Sequence, residues 1–165
     1  MEVKRLIVIQ HSMTGGTLQM AGALVAGAAA ETEVNTRCLH ATEAGPDDLL
    51  AADGCVFATP ENLGTMSGLL KDFFDRCYYP VLDQLNGRPY ATLICAGSDG
   101  QGAARQIERI VTGWRLKAIA PPLIVITHAQ TPERILQPKR IGEEDLQRCR
   151  ELGEAFAAAL ALGVC

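Results

Sequence analysis

The sequence contains no apolar run long enough to cross a membrane without interruption. Residues 17–30 come closest, but Gln19, Gly22 and Gly27 interrupt that run, and we expect no membrane partner. Basic residues are not in excess, since 15 Lys and Arg stand against 19 Asp and Glu, a net charge of −4. This balance argues against a nucleic-acid partner. Residues 1–5 lead directly into a strand pattern without a signal-peptide cleavage region, which predicts a cytoplasmic protein.

Metal-binding spacings are also missing. The six cysteines form no C-x-x-C pair, and the three histidines do not have the spacing of metal ligands. Cys55 and Cys95 lie inside apolar runs. Buried, reduced thiols explain such positions better than disulfides or zinc ligands do. The sequence therefore predicts no metal site.

Strand and helix patterns alternate along the 165 residues, 48% of which are hydrophobic. This length predicts a single domain over residues 1–165. Short apolar runs predict strands at residues 5–10, 33–39, 54–59, 90–96 and 123–127. Helical patterns are found at residues 17–30, 46–52, 69–77, 103–114 and 143–162. Such an alternation predicts an α/β fold with a parallel sheet.

A turn rich in hydroxyls and glycines, residues 12–17, joins the first strand pattern to the first helix. Its hydroxyl and glycine residues are Ser12, Thr14, Gly15, Gly16 and Thr17. The unpaired N–H groups and the dipole of a helix N-terminus favour an anion. The turn contains no Lys or Arg, so it is not a P-loop, and we expect dipoles and hydrogen bonds to bind a phosphate there. An ordinary helix cap is the alternative interpretation.

Two further loops of glycine and small polar residues follow the third and fourth strand patterns, at residues 59–67 and 96–102. In an open α/β sheet, ligands bind at the carboxyl ends of the strands, where these loops meet the first one. A phosphate site beside two loops with exposed backbone groups is typical of a mononucleotide site. Residues 100–105 nearly match a dinucleotide fingerprint, but Arg105 stands at its last position and no acidic residue follows at the required distance.

The three loops resemble those of the flavodoxin-like superfamily. The segment Ser12-Met13-Thr14-Gly15-Gly16-Thr17 is similar to its hydroxyl-x-Thr-Gly-x-Thr phosphate loop. Residues 60–68, followed by Leu70-Lys71-Asp72-Phe73, resemble the second flavin loop and helix of NAD(P)H-dependent FMN reductases and quinone reductases, and residues 96–100 resemble their third loop. The resemblance implies a flavodoxin-like three-layer sandwich with a five-stranded parallel sheet in the order 2-1-3-4-5. It also implies FMN as cofactor, between the first and third strands.

The same resemblance implies three groups of FMN-binding residues. The phosphate group is expected to contact Ser12, Thr14, Gly15, Gly16 and Thr17. The isoalloxazine ring and ribityl chain are expected to contact Glu61, Asn62, Leu63, Gly64, Thr65 and Met66, and the pyrimidine side of the ring Gly97, Ser98, Asp99 and Gly100. Backbone N–H groups near Gly64, Thr65 and Met66 are expected to face the N5 and O4 edge of the flavin. For Glu61, contact with flavin or substrate and a solvated loop carboxylate both stay open.

The activity implied by the resemblance is an FMN-dependent NAD(P)H oxidoreductase. A hydride passes from NAD(P)H, the co-substrate, to flavin N5 and the electrons pass on to a quinone-like or other small acceptor. A flavodoxin-type electron carrier is the alternative, but the charge is mild and neither ring loop contains Phe, Tyr or Trp. An intact phosphate loop argues against a third class, a protein of this fold that binds no flavin. By the same resemblance we expect a homodimer or homotetramer.

No side chain stands out as an acid or base catalyst except His128. It opens the long segment of residues 128–142 at the binding edge of the sheet, where an imidazole can protonate a reduced quinone or contact the nicotinamide. An exposed loop imidazole is the alternative. For His11, beside the phosphate loop, the sequence favours a plain strand-end residue, and nothing near His40 in the sequence indicates a role.

Overall fold

A parallel sheet forms the centre of the computed structural model, which describes residues 2–165. Its strands are β1 (Lys4–Gln10), β2 (Val34–His40), β3 (Gly54–Asn62), β4 (Thr65–Met66), β5 (Pro89–Ala96), β6 (Lys117–Ala118) and β7 (Leu123–Ile126). The order is β2-β1-β3-β5, and the outer edge of β5 pairs with β6 near its start and with β7 near its end. The five long strands therefore lie in the predicted order 2-1-3-4-5.

Helices cover both faces of this sheet. They are α1 (Gly16–Ala28), α2 (Pro46–Ala51), α3 (Gly68–Cys77), α4 (Gln101–Gly113), α5 (Pro132–Leu136) and α6 (Glu143–Leu162). Helices α1 and α6 bury their apolar residues against one face of the sheet, and α2, α3 and α4 bury theirs against the other. The predicted three-layer flavodoxin-like sandwich is confirmed. No helix of residues 2–165 is both long and apolar enough to span a bilayer.

Glycines bring α1 and α6 into close contact. A Cβ at Gly27 would overlap the Arg150 carbonyl oxygen, and a Cβ at Gly153 would overlap the Leu24 carbonyl oxygen. The two helix backbones thus touch with no side chain between them. The contact lies in the C-terminal half of α1 and holds this helix against α6.

Residues 59–67 were predicted to form a loop, but the structure gives them regular strand pairing. Strand β3 continues through Asn62, because Pro60 pairs with Cys95 of β5 while Glu61 and Asn62 pair antiparallel with β4. Left-handed backbone at Leu63 (φ 53°) and Gly64 (φ 77°) makes the turn between β3 and β4. Residues 59–67 therefore form a β-hairpin, which places their backbone groups more rigidly than a loop would.

Candidate functional site

The predicted phosphate loop, residues 12–17, bends sharply at Gly15, the residue before α1. Gly15 has φ 97°, a left-handed conformation that side chains disfavour. Its N–H donates to Ser12 Oγ over 3.1 Å, so the Ser12 hydroxyl holds the loop closed. Gly16 is packed as well, since a Cβ there would lie 2.6 Å from Cys95 Sγ. Both predicted glycines are therefore required by the local geometry.

The loop holds unpaired donors. The N–H groups of Gly16 and Thr17 donate no hydrogen bond to any of the described residues. The hydroxyl of Thr17 is also without a partner, although the residue is 1% exposed. A buried polar group without a partner costs about 1–3 kcal/mol. A phosphate oxygen would satisfy these donors, so the loop has the chemistry that a phosphate ester needs.

A lysine that the sequence analysis missed lies against this loop. The Nζ of Lys139 is 3.3 Å from Thr14 Oγ1, and the Lys139 N–H donates to the Thr14 carbonyl over 2.8 Å. Residues 12–17 themselves contain no Lys or Arg, but the fold brings this ammonium beside them. The available signal was a basic residue in the long segment 128–142, but nothing in the sequence places it beside residue 14.

Gln19, in the first turn of α1, connects residues 139–141 to the loop of residues 12–17. Its Nε2 donates to the carbonyls of Lys139 (2.7 Å) and Gly15 (3.0 Å), and its Oε1 accepts from the Ile141 N–H (2.9 Å). The amide thus bridges the turn at Gly15 and the chain around residue 140. Residues 139–141 lie across the phosphate loop as a result.

The carboxylate of Glu61 joins the hairpin to α4. Its Oε1 accepts from the Gly100 N–H over 2.8 Å, and its Oε2 accepts from the Ala103 N–H over 3.0 Å. A carboxylate at a helix N-terminus is stabilised by the helix dipole and by the unpaired N–H groups there. Both oxygens are engaged in this way, so Glu61 serves as a long-range helix cap, a role that neither sequence interpretation considered.

The hairpin lies against α4 at two more points. The Met66 N–H donates to Gln106 Oε1 over 2.9 Å, so this N–H is engaged within the protein. A Cβ at Gly102 would overlap the Gly64 carbonyl oxygen. The Gly64 N–H donates to no described residue, and Leu63 at the tip is fully exposed. Of the ring-facing groups implied by the resemblance, the turn at residues 63–64 is the part left open to a ligand.

The third loop is shaped by its glycines. Gly97 lies beneath the Ala129 carbonyl, which a Cβ would approach to 2.5 Å, and Gly100 (φ 88°) has Ile124 Cγ2 2.6 Å from its Cβ position. Ser98 and Asp99 are exposed between them. The loop thus packs on the start of segment 128–142 and presents two polar side chains to solvent.

His128 is exposed and lies beside this third loop. Its backbone is left-handed (φ 60°), and the preceding Thr127 N–H donates to the Ala96 carbonyl over 2.8 Å. The structure therefore brings residue 128 to the edge of the sheet where the three loops meet. A catalytic role for its imidazole stays a prediction.

His11 and His40 form a pair that the sequence did not indicate. Their rings meet edge to face with centroids 5.6 Å apart, and Nδ1 of His40 contacts Thr42 Oγ1 at 2.7 Å. Nδ1 of His11 is buried without a partner. Burial, and secondarily the charge of His40, lower the pKa of His11 below its ordinary value of 6.5. The environment of His11 therefore favours the neutral imidazole.

The buried cysteines are free thiols, as predicted, and they are protonated. Burial raises the pKa of Cys55 to about 12 and that of Cys95 to about 11. Cys55 and Cys95 are therefore thiols and not thiolates at neutral pH. No group of three His, Cys, Asp or Glu within residues 2–165 has metal-binding geometry.

The chain is similar to three kinds of known protein. Residues 30–131 match the family model described as NADPH-dependent FMN reductase. A protein of Aquifex aeolicus named flavodoxin is 28% identical over 168 residues, which covers 97% of this chain and 89% of that protein. A protein of Acidithiobacillus ferrooxidans named NAD(P)H dehydrogenase (quinone) is 34% identical over 94 residues, or 45% of this chain and 47% of that protein. The solved structure of an archaeal flavodoxin superimposes with a TM-score of 0.76 at 20% identity, covering 95% of this chain and 99% of that one.

The matched family segment begins after the phosphate loop and ends before Lys139. It therefore covers the hairpin of residues 59–67 and the third loop, but not the residues that surround the expected phosphate. Around the expected phosphate, a ligand is indicated instead by the Thr17 hydroxyl without a partner and by the free N–H groups of Gly16 and Thr17.

Proposed function

The chain belongs to the NADPH-dependent FMN reductase family and is an FMN-dependent oxidoreductase, and from that premise we propose that it transfers a hydride from NADPH or NADH to a quinone-like or other small acceptor. When bound, FMN supplies the hydride acceptor of this reaction, at its N5 atom, and the electron donor to the second substrate. The observation that carries the proposal is the buried, unpaired hydroxyl of Thr17 beside two free N–H groups.

We assign the phosphate to the first loop. The N–H groups of Gly16 and Thr17 and the hydroxyl of Thr17 would donate to its oxygens, while the Ser12 hydroxyl holds the turn at Gly15. These donors are already in place, so binding requires no rearrangement of the loop. The neutral imidazole that the environment of His11 favours adds no charge next to them.

The flavin ring would lie between the hairpin and the third loop. Glu61 holds the hairpin against the N-terminus of α4, and this contact fixes the distance between the two loops. The free N–H of Gly64 is available to the polar edge of the ring. A donor at that edge favours negative charge on the ring and so favours its reduced state.

A flavodoxin-type carrier is the second candidate, supported by the relative of that name that matches almost the whole chain. The composition of the ring loops favours the reductase. Neither residues 59–67 nor residues 96–102 contain Phe, Tyr or Trp, so no aromatic side chain from them can cover the ring. An uncovered ring face leaves room for a nicotinamide and then for an acceptor.

Anaerobic reduction tests the proposal. The protein is loaded with FMN, freed of excess flavin and mixed with NADPH or NADH, and the visible flavin absorbance is followed. We expect rapid bleaching, and recovery of the colour when a quinone is added. Flavin that stays oxidised with both nicotinamides, but accepts electrons from a chemical reductant, would indicate the carrier instead.

Assembly as a homodimer or homotetramer is part of the same proposal. The apolar side chains of Leu63 and Leu136 are exposed near the binding edge, and Tyr79 is exposed at the end of α3. These side chains are available to an interface with another subunit. Light scattering at several protein concentrations measures the mass directly.

The free cysteines support the proposal of a cytoplasmic location, because thiols stay reduced in that compartment. Cys38 and Cys165 are exposed and would be the first to oxidise outside it. Thiol titration of protein isolated under alkylating conditions measures their state.

A further inference from the structure

We propose that Lys139 neutralises the phosphate of the bound flavin nucleotide, and that Gln19 positions it for that purpose. The proposal rests on the proposed function, in which FMN occupies the first loop. It assigns the charged partner of the phosphate to a residue 125 positions away from Thr14 in the sequence.

The first observation is where the ammonium lies. Nζ of Lys139 is 3.3 Å from Thr14 Oγ1, and Cβ of Lys139 is 3.3 Å from the Cβ position of Gly16. The side chain therefore runs over the loop that holds the free N–H groups and the orphaned Thr17 hydroxyl. A phosphate satisfied by those donors would lie within the field of this ammonium.

The second observation is the charge of the phosphate compared with the charges of the residues around its loop. A phosphate monoester carries about −1.5 to −2 charges at neutral pH, and residues 11–20 contain no Lys, Arg, Asp or Glu. The segment 128–142 contains three basic residues and one acidic one, in a chain whose net charge is −4. Of those basic residues, Arg134 and Arg140 are exposed, whereas Lys139 is partly buried against the loop.

The third observation is that the ammonium is held in place. It donates to the carbonyls of Arg134 (2.8 Å), Ile135 (2.9 Å) and Gln137 (2.7 Å), around the C-terminal end of α5. These carbonyls restrict the side chain before a ligand arrives, which lowers the entropic cost of using it. An ammonium has three N–H donors and here four oxygen neighbours. One donor can therefore exchange its partner for a phosphate oxygen.

Gln19 fixes the position of residues 139–141 relative to the loop of residues 12–17. Its amide bonds to the Lys139 carbonyl, the Gly15 carbonyl and the Ile141 N–H. Any shift of residues 139–141 along the loop would break these bonds together. Gln19 is thus a positioning residue, which acts on the phosphate through Lys139.

The carbonyl contacts also allow a purely structural role, in which Lys139 only fastens α5. Riboflavin separates the two roles because it has the flavin ring and ribityl chain of FMN but no phosphate. If Lys139 only holds α5 in place, its substitution should change the stability of the apo-protein and the binding of both flavins alike. A phosphate partner affects FMN alone.

The experiment measures dissociation constants of the apo-protein for FMN and riboflavin by quenching of flavin fluorescence. The variants are Lys139→Gln, which keeps a donor for the carbonyls but removes the charge, Lys139→Arg, which keeps the charge, and Arg140→Met as the matched control. We expect Lys139→Gln to weaken FMN binding about tenfold at low ionic strength, and less in high salt, with riboflavin unchanged. Lys139→Arg should lose less than Lys139→Gln, and Arg140→Met should bind FMN like wild type.

Equal weakening of FMN and riboflavin binding by Lys139→Gln, or no change in either, would overturn the proposal. Lys139 would then have only a structural role. The melting temperature of each apo-variant identifies a variant that fails to fold, and Gln19→Ala then serves as the second probe, with the same FMN-selective loss expected. A wild-type protein that prefers FMN over riboflavin, with a preference that survives Lys139→Gln, contradicts this inference alone. A wild-type protein with no such preference contradicts the phosphate site and the proposed function as well.

Discussion

Glu61 and Gly100 lie 39 residues apart, and the carboxylate of the first accepts a hydrogen bond from the N–H of the second over 2.8 Å. With its other oxygen on the Ala103 N–H, Glu61 caps α4 from a hairpin on a different strand. A single carboxylate therefore couples the two loops between which the flavin ring is proposed to lie.

Glu61→Gln should loosen that coupling. The amide keeps one acceptor but loses the negative charge that the helix N-terminus stabilises, so we expect the apo-protein to lose about 0.5–2 kcal/mol of stability. Binding of FMN and riboflavin should weaken together, because the change affects the ring pocket and not the phosphate. Urea unfolding and flavin titration measure the two effects. Glu154→Gln, at an exposed position of α6, is the control, and equal effects of both substitutions would contradict the prediction.

Thr17→Val should weaken FMN binding without destabilising the apo-protein. The hydroxyl has no partner in the protein, so its loss should leave the stability of the apo-protein unchanged or raise it. FMN should bind about 10- to 150-fold more weakly, since a hydrogen bond to a charged group contributes about 1.5–3 kcal/mol. Thermal melts with and without FMN report both values.

Thr36→Val is the matched control for this substitution. Its hydroxyl is also buried without a partner, but it lies on β2, paired with Leu6. The control should reproduce the effect on apo-stability and leave FMN binding intact. If Thr17→Val bound FMN as tightly as Thr36→Val, the phosphate assignment to this loop would be wrong.

Gly102→Ala should separate the hairpin from α4. The added Cβ would overlap the Gly64 carbonyl oxygen, which belongs to the backbone and has little room to move. We expect a loss of about 1–3 kcal/mol and weaker binding of both flavins. Gly22→Ala is the control, because a Cβ there meets nothing within 4 Å and should stabilise α1 by about 0.5–1 kcal/mol. Chemical denaturation measures the change in the free energy of unfolding for each variant. It compares the lost hairpin contact at Gly102 with the gain in helix propensity at Gly22.

The stability of the protein should fall as the pH is lowered through 6.5. In the unfolded chain His11 titrates near its ordinary pKa of 6.5, whereas burial lowers its pKa in the folded protein. Below pH 6.5 the unfolded chain therefore binds more protons than the folded one, and the free energy of unfolding decreases. Melting temperatures at pH 7.5 and 5.5 should differ more in the wild type than in His11→Asn. If His11→Asn kept the full pH dependence of the wild type, the assignment of this dependence to His11 would be wrong.

Local patterns predicted much of the fold. The range of α6, residues 143–162, is the same in sequence and structure, because its apolar stripe and acidic first turn are both local signals. Ser67 caps the N-terminus of α3 through a local contact of the same kind, since its hydroxyl accepts from the Leu70 N–H over 3.3 Å. The parallel order of the five long strands followed from the resemblance, and the pairing confirms it. The two-residue strand β6 carries no such pattern and was missed.

The sequence by itself determined the elements and the place of the phosphate loop, because strand and helix periods, glycines and hydroxyls act over a few neighbouring residues. Only the tertiary structure decided what Glu61 caps, which imidazole His11 meets and that Lys139 reaches Thr14. Each of these contacts joins residues tens of positions apart, and a hydrogen bond or charge pair depends on distances of a few ångströms that no local pattern encodes. Chain folding brings such groups together after the elements have packed, so the sequence names the candidate residues while the packing assigns their partners.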